Sequence, residues 1–575
     1  MQRNLEALSD SEFDVLVIGG GASGAATARE AALRGLRTAL IERDDFGGGA
    51  SAHCFKVVHG GIRYLQHGDV RRLRASCGER SAFLRIAPHL VAPLPFAIPT
   101  YGWGRSSKWL LGTGMRIYDA LSADRNAGIT DKSRQVPGTR FIGRDQTLEL
   151  FPFVERKNLT GAAIFDDGQM YNPPRLVLAL VNAAVARGAV VANYVGAERF
   201  LMKEDRVVGV VARDHIGNVS FDIRARVVIN AAGPWAEGLL ETLPARDKTE
   251  PGTYSRDACF VVNRRFHTTM AIAIQGRTRD ADALLARATR HLFLVPWRDR
   301  TLVGVWHKVV MREPDQVALE RSELLQFIAE INAGCPGLAL TEAEVCISGF
   351  GLVPFGKAAQ QGAASLSFGK ESRLIDHWQH DRLAGLITLV SVRYTVARMD
   401  AAAALELACR QLGVDAATRE SLSARVPGAD FEDFEMFLSD CQRNRPKWLT
   451  ATATESLARN YGTYIDNVLA PARSNPALQC LLPGSDVCLA EVLHVIREEM
   501  AVHMSDIVFR RTNLGTGGHP GEPALASLQD FLHQHCDWDR RRVQIERAAV
   551  DRHFARYLQL PSGAHAASSS IGRSR

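Results

Sequence analysis

Residues 13–42 read FDVLVIGGGASGAATAREAALRGLRTALIE, and this stretch decides the fold. The first six residues form a short apolar run of the kind buried on both faces of a parallel sheet. The glycine run 19–24 predicts a turn, the Ala-rich residues 25–34 a helix, and residues 37–41 a second strand ending at Glu42. In Gly19-x-Gly21-x-x-Gly24 each glycine has a separate task. Gly19 permits the tight turn, Gly21 lets backbone approach a pyrophosphate, and Gly24 lets helix and strand pack closely. The amides of Ala22 and Ser23 fall at the start of the helix, where unpaired N–H groups and the positive dipole end favour phosphate. Glu42, with Arg43 beside it, stands where an acid accepts both ribose hydroxyl protons. An acid there disfavours a 2′-phosphate, which leaves FAD or NAD ahead of NADP.

Outward from this unit, short strand-like runs recur at 206–211, 226–229, 301–305 and 386–390, with helical patterns between them such as 174–187 and 320–333. Alternation of this kind predicts an α/β architecture. After about residue 400 the chain changes character, and 401–412, 430–440, 454–460, 490–503 and 524–533 all predict helices. The expected organisation is an oxidoreductase region over 1–400, a helical domain over 401–557 and a disordered tail over 558–575. Within the first region, cofactor-binding segments are expected at about 10–95, 160–240 and 345–400, and substrate-domain segments at about 96–159 and 241–344.

The chain has 575 residues, enough for two or three domains, with 46% hydrophobic and 23% charged residues. A net charge of +6 spread over so large a surface does not point to nucleic acid; it favours anionic substrates or lipid. The ten cysteines contain no CxxC pair and no cluster with histidine at metal spacing, so no metal site is expected. The polar, acidic start does not resemble a signal peptide, and no apolar run approaches the roughly 18 residues of a membrane span, so the cytoplasm is the expected compartment.

Residues 48–65, GGASAHCFKVVHGGIRYL, resemble the signature of FAD-dependent glycerol-3-phosphate dehydrogenases through Ser51, Lys56, His59, Gly60, Gly61, Arg63, Tyr64 and Leu65. NAAGPW at 230–235, DDGQ at 166–169, FLVPWRDRTLVG at 293–304 and EMAVHMSDIVFRRTNLG at 499–515 continue the likeness in order along nearly the whole chain. The resemblance implies the D-amino-acid-oxidase type of FAD-binding Rossmann-like domain, a mixed α+β substrate domain and a helical C-terminal domain. It adds Ala232, Gly233 and Trp235 to the cofactor residues and implies oxidation of sn-glycerol 3-phosphate, or a related polyol or anionic secondary alcohol, to the ketone. A quinone or other electron acceptor, a peripheral contact with the inner face of the membrane and a homodimer are the expected partners.

For the substrate, the resemblance assigns Arg63, Tyr64, Arg393 and Thr395, with Arg63 and Arg393 also at the reaction centre. Three family positions differ. Gly-Gly-Lys becomes Ser391-Val392-Arg393, an arginine facing the substrate becomes Val353, and a histidine near the reacting hydroxyl aligns with Cys259. His307 is the candidate replacement base, against the plainer reading of a packed structural histidine. His59 is expected to position backbone near the flavin. Residues 101–121 combine Trp103, Trp109 and Leu110 with Arg105, Lys108 and Arg116, which suits either an interfacial segment or a core-packed helix. Two other readings stay open: a flavin oxidase or dehydrogenase for a different hydroxy or amino compound, and a FAD-binding protein whose catalysis has decayed.

Overall fold

The computed structural model describes residues 1–102, 107–244, 253–266, 268–279, 289–311, 314–355, 372–415 and 420–558. Trp103, Arg105 and the tail beyond residue 558 lie outside the described residues.

Two sheets organise the first two thirds of the chain. In the first, five strands run in the order Leu386–Val390, Val219–Asn230, Glu12–Ile18, Thr38–Glu42, Val190–Asn193, all parallel. Arg373–Asp376 pairs antiparallel outside Leu386–Val390. Val15, Leu16 and Val17 are fully buried because helices or strands cover both faces of their strand, which is why the sequence shows a run there and no alternation. The helix Ala22–Leu33 buries alanines and packs between Pro173–Val185 and Ala397–Leu412. Its small side chains permit that close approach.

Among the described residues the second sheet has nine strands, and its far part runs Val345–Pro354, Thr253–Val262, Arg300–Met311, Thr289–Trp297. Two features cut across the sequence division. Leu159–Met170 and Val345–Pro354, assigned to cofactor-binding segments, belong here because they pair with Val91–Tyr101 and Thr253–Val262. The boundary at 400 also falls inside the helix Ala397–Leu412, whose Ala401, Ala404 and Leu405 are buried with Val15 and Leu40 of the first sheet.

Beyond residue 420 the described elements are helices: Phe434–Arg443, Ala451–Tyr461, Ile465–Ser474, Leu489–Glu498, Glu522–His535 and Arg540–Leu558 among them. The first of these starts later than the sequence predicts because Asp433, and not Asp430, caps it by accepting the Met436 amide. Leu457, Leu493 and Leu528 from these helices share one apolar core with Phe260, Trp297 and Phe327 of the second sheet and its helix Arg321–Gly334.

The helix Lys108–Leu121 turns Met115 and Tyr118 inward and leaves Trp109 76% and Leu110 58% exposed, with Ile117 on the same outer side. No described helix is long and apolar enough to cross a membrane.

Candidate active site

A cavity of about 2540 Å³ lies between the two sheets and the C-terminal helices, and nearly every sequence-predicted site residue lines it. At one end stands the glycine turn. Gly19 adopts φ +102°, and a Cβ there would press on the Ala231 carbonyl of the neighbouring strand. A Cβ on Gly24 would overlap the Gly19 carbonyl oxygen, so helix and strand meet this closely only because residue 24 is glycine. Gly21 differs: a Cβ there meets the Ser51 hydroxyl oxygen alone, at 3.1 Å, and otherwise faces the cavity.

The helix that follows closes its first internal bond from the Ala25 amide to the Gly21 carbonyl, so the amides of Ser23 and Gly24 precede any intrahelical acceptor. The Ala22 amide donates to the Ser51 hydroxyl, 2.9 Å. Glu42 ends the second strand, accepting the Gly20 amide at 2.6 Å and the Asp44 amide at 2.8 Å; burial nevertheless pushes its carboxyl up to about 7. Arg43 lies over the Trp235 ring at 5.2 Å, and Ala232 and Gly233 continue that rim. An open glycine cradle, a helix start and a fixed acid fit a pyrophosphate and ribose. Valine at position 21 is therefore expected to leave the fold intact and abolish FAD binding. Flavin absorbance of the purified variant checks this, and a full complement of flavin would remove the turn from the cofactor site.

Lys56 sits further along in a left-handed backbone conformation, φ 59°, with its ammonium 4.7 Å from the Trp297 ring centre. The wall after it is built from HGG. Gly60 has no room for a side chain: a Cβ would strike Arg80, Tyr118 and Asp167. Its amide donates to Asp167 Oδ1 at 2.6 Å, and His59 Nδ1 lies 3.1 Å from Asp167 Oδ2. Burial raises the Asp167 carboxyl, but the His59 hydrogen bond, the charges of His59 and Arg80 and the Gly60 amide together hold it below its ordinary value. Asp167 is thus ionised and takes the hydrogen bond of His59 Nδ1, while Nε2 of the half-exposed imidazole makes no bond to it. Asp167 and its buried partner Arg80 were not recognised from sequence. The acid lies within DDGQ, but nothing local says that it meets His59.

The same wall holds Arg393 and Thr395. Thr395 Oγ1 accepts the His59 amide at 3.1 Å, so this hydroxyl, expected on substrate, supports the HGG backbone. Arg393 Nη1 donates to the Tyr64 hydroxyl at 2.8 Å and to Ser76 Oγ at 3.0 Å, and no carboxylate is within ion-pair distance of it among the described residues. Arg63 lies in the six-residue turn Ile62–His67; its side chain is outside what the structure describes.

Across the cavity the second sheet contributes a row of cross-strand neighbours, Gly351, Asp257 and His307. His307 Nδ1 is 2.8 Å from Asp257 Oδ1, which also accepts the Ser255 hydroxyl at 2.7 Å. Val353 lies opposite Ser255 and Cys259 opposite Gly349. Burial pushes the Cys259 thiol up to about 11, so it is a neutral wall residue.

This is the arrangement of a flavin-dependent oxidoreductase. Residues 14–358 match the FAD dependent oxidoreductase family, and residues 419–543 match the C-terminal domain of alpha-glycerophosphate oxidase. Glycerol-3-phosphate dehydrogenase of Synechocystis sp. is 30% identical, over 94% of this chain and 96% of that one. The mitochondrial glycerol-3-phosphate dehydrogenase of Homo sapiens is 27% identical, over 94% of this chain and 73% of its own. The crystal structure of glycerol-3-phosphate dehydrogenase from Bacillus halodurans, complexed with FAD, superposes with a TM-score of 0.72 at 24% identity, covering 96% of each chain. The chain belongs to the FAD-dependent glycerol-3-phosphate dehydrogenase family and is an oxidoreductase with FAD as its cofactor.

Proposed function

We propose that the protein oxidises the secondary hydroxyl of sn-glycerol 3-phosphate, or of a related polar hydroxy compound with an anionic end, to the ketone. The observation that carries this reading is the Arg393 guanidinium, fixed by Tyr64 and Ser76 through one nitrogen and presented to the cavity on the same wall as His59. A planar fork anchored on one side keeps its remaining donors for a phosphate or carboxylate.

Oxidation removes a proton from the hydroxyl and a hydride from its carbon. FAD supplies the hydride acceptor when bound. The proton goes to His59 Nε2, and Asp167 stabilises the imidazolium that forms. The sequence pointed to His307 for this proton; His59 is preferred because Arg393, Tyr64 and Thr395 converge on its wall. Val353 makes the site less suited to a full dianion than an arginine there would.

Anaerobic titration of the yellow protein with polyol phosphates and hydroxy acids tests the reading by flavin bleaching. Arg393→Ala is expected to lose about 2 kcal/mol or more of transition-state binding, roughly thirtyfold in kcat/KM, on anionic substrates and little on neutral polyols. Equal losses on both would remove Arg393 from the anion site.

Reoxidation by a quinone at the inner face of the cytoplasmic membrane fits the exposed Trp109, Leu110 and Ile117 of the helix Lys108–Leu121. Serine at 109 and 110 is expected to weaken sedimentation with anionic liposomes at low salt without lowering flavin content. Unchanged sedimentation would dismiss the helix as the contact.

A further inference from the structure

The last described helix, Arg540–Leu558, has two working faces. Val543, Val550 and Phe554 are buried in the core shared with the second sheet. Ile545, Glu546, Ala549, His553, Arg556 and Tyr557 line the cofactor cavity. These positions follow helical spacing, so one stripe runs along the cavity for about 18 Å at a rise of about 1.5 Å per residue.

Both ends of that stripe reach backbone of the cofactor site. At the C-terminal end the Tyr557 ring stacks on His53 with centroids 4.2 Å apart, and His553 stacks on Phe509 at 3.9 Å. Ser348 of the second sheet donates its hydroxyl to the Tyr557 carbonyl, which fixes the helix end there. His53 closes the short helix Gly49–Ala52, two residues after the Ser51 whose hydroxyl receives the Ala22 amide of the phosphate turn. At the other end Glu546 meets His503 Nδ1 at 2.6 Å and accepts the Met504 amide at 3.0 Å. The His503 ring sits edge-on to Tyr194, centroids 4.7 Å apart, and the Tyr194 amide donates to the Asp44 carbonyl beside Glu42.

We propose that this C-terminal helix is part of the cofactor site: it braces the phosphate-side loop through Tyr557 and His53 and the ribose-side loop through Glu546, His503 and Tyr194, and so governs how long FAD stays bound. Tyr557 and Glu546 are positioning residues, since they act through His53 and His503. Burial beside His553 and Lys56 holds the His53 imidazole well below its ordinary value, so the stack joins uncharged rings and resists salt.

The test uses the full-length flavoprotein and reads the rate at which FAD leaves, as the rise of free-flavin fluorescence after dilution. Tyr557→Ala is expected to speed release tenfold or more, while Tyr557→Phe, which keeps the ring, stays within about twofold of wild type. Glu546→Gln tests the other end with a side chain of the same size, and faster release is expected there too. Thermal midpoints of the holo- and apoproteins separate positioning from bulk stability. The proposal requires the FAD-induced rise in midpoint to shrink in Tyr557→Ala. Equal falls in both forms with an unchanged release rate would overturn it. If Tyr557→Ala does not fold, Glu546→Gln decides: unchanged release in that variant would overturn the proposal.

Discussion

Asp45→Ala is expected to lose about 3–5 kcal/mol of folding stability, the loss found when one partner of a buried ion pair is removed. Asp45 is completely buried three residues after Glu42. Arg511 of the helical region donates two parallel hydrogen bonds to it, both 2.7 Å; Arg510 donates a third at 2.6 Å and Asn193 a fourth at 2.8 Å. Burial alone would raise this carboxyl, but the two guanidinium charges outweigh it and pull the pKa down to about 2. Alanine would leave Arg511 buried and donating to the Glu499 carbonyl, with its two carboxylate bonds gone, whereas Arg510 keeps Asp506. A carboxyl depressed on folding stabilises fully above its unfolded value near pH 4 and loses that contribution as pH falls towards 2. Urea unfolding of wild type and variant at neutral pH and near pH 3 measures both effects. A loss below about 1 kcal/mol at neutral pH would show that water satisfies these arginines.

His59→Asn should lower the rate constant of flavin reduction by about 10²–10⁴-fold, the usual contribution of a positioned general base. Asparagine can still donate to Asp167 but has no nitrogen able to take a proton, so FAD content and fold are expected to survive. Stopped-flow reduction of the variant reads the loss. A reduction rate near that of wild type in His59→Asn, with a large loss in His307→Asn, would transfer the role to the His307–Asp257 pair.

The cofactor half was legible because its physics is local. Six consecutive residues define the buried strand at residue 13, and the glycine spacing brings Gly24 against the Gly19 carbonyl only five residues away. The HGG wall was half legible. HGG and Arg393 stand out as motifs, but His59 and Asp167 are 108 residues apart, and no local pattern announces their hydrogen bond. The helix Arg540–Leu558 escaped for another reason. Val543, Val550, Phe554 and Tyr557 repeat at helical spacing, but arginines at 540, 541, 542, 547, 552 and 556 hide that stripe in any average of polarity. The cap at Asp433 shows the same limit on a smaller scale, since Asp430 and Asp433 both precede the helix and only geometry selects one.

The core in which Phe260 and Trp297 lie with Leu457 and Leu528 has a practical meaning for anyone dissecting the gene. A stop codon placed after residue 415 would spare every glycine of the nucleotide turn and every polar group of the HGG wall. It would also strip the back of the second sheet to bare hydrocarbon, a sticky surface on which copies of the fragment would clump. The two segments can be told apart on paper, but the shared core means that this chain has to be made as a single piece.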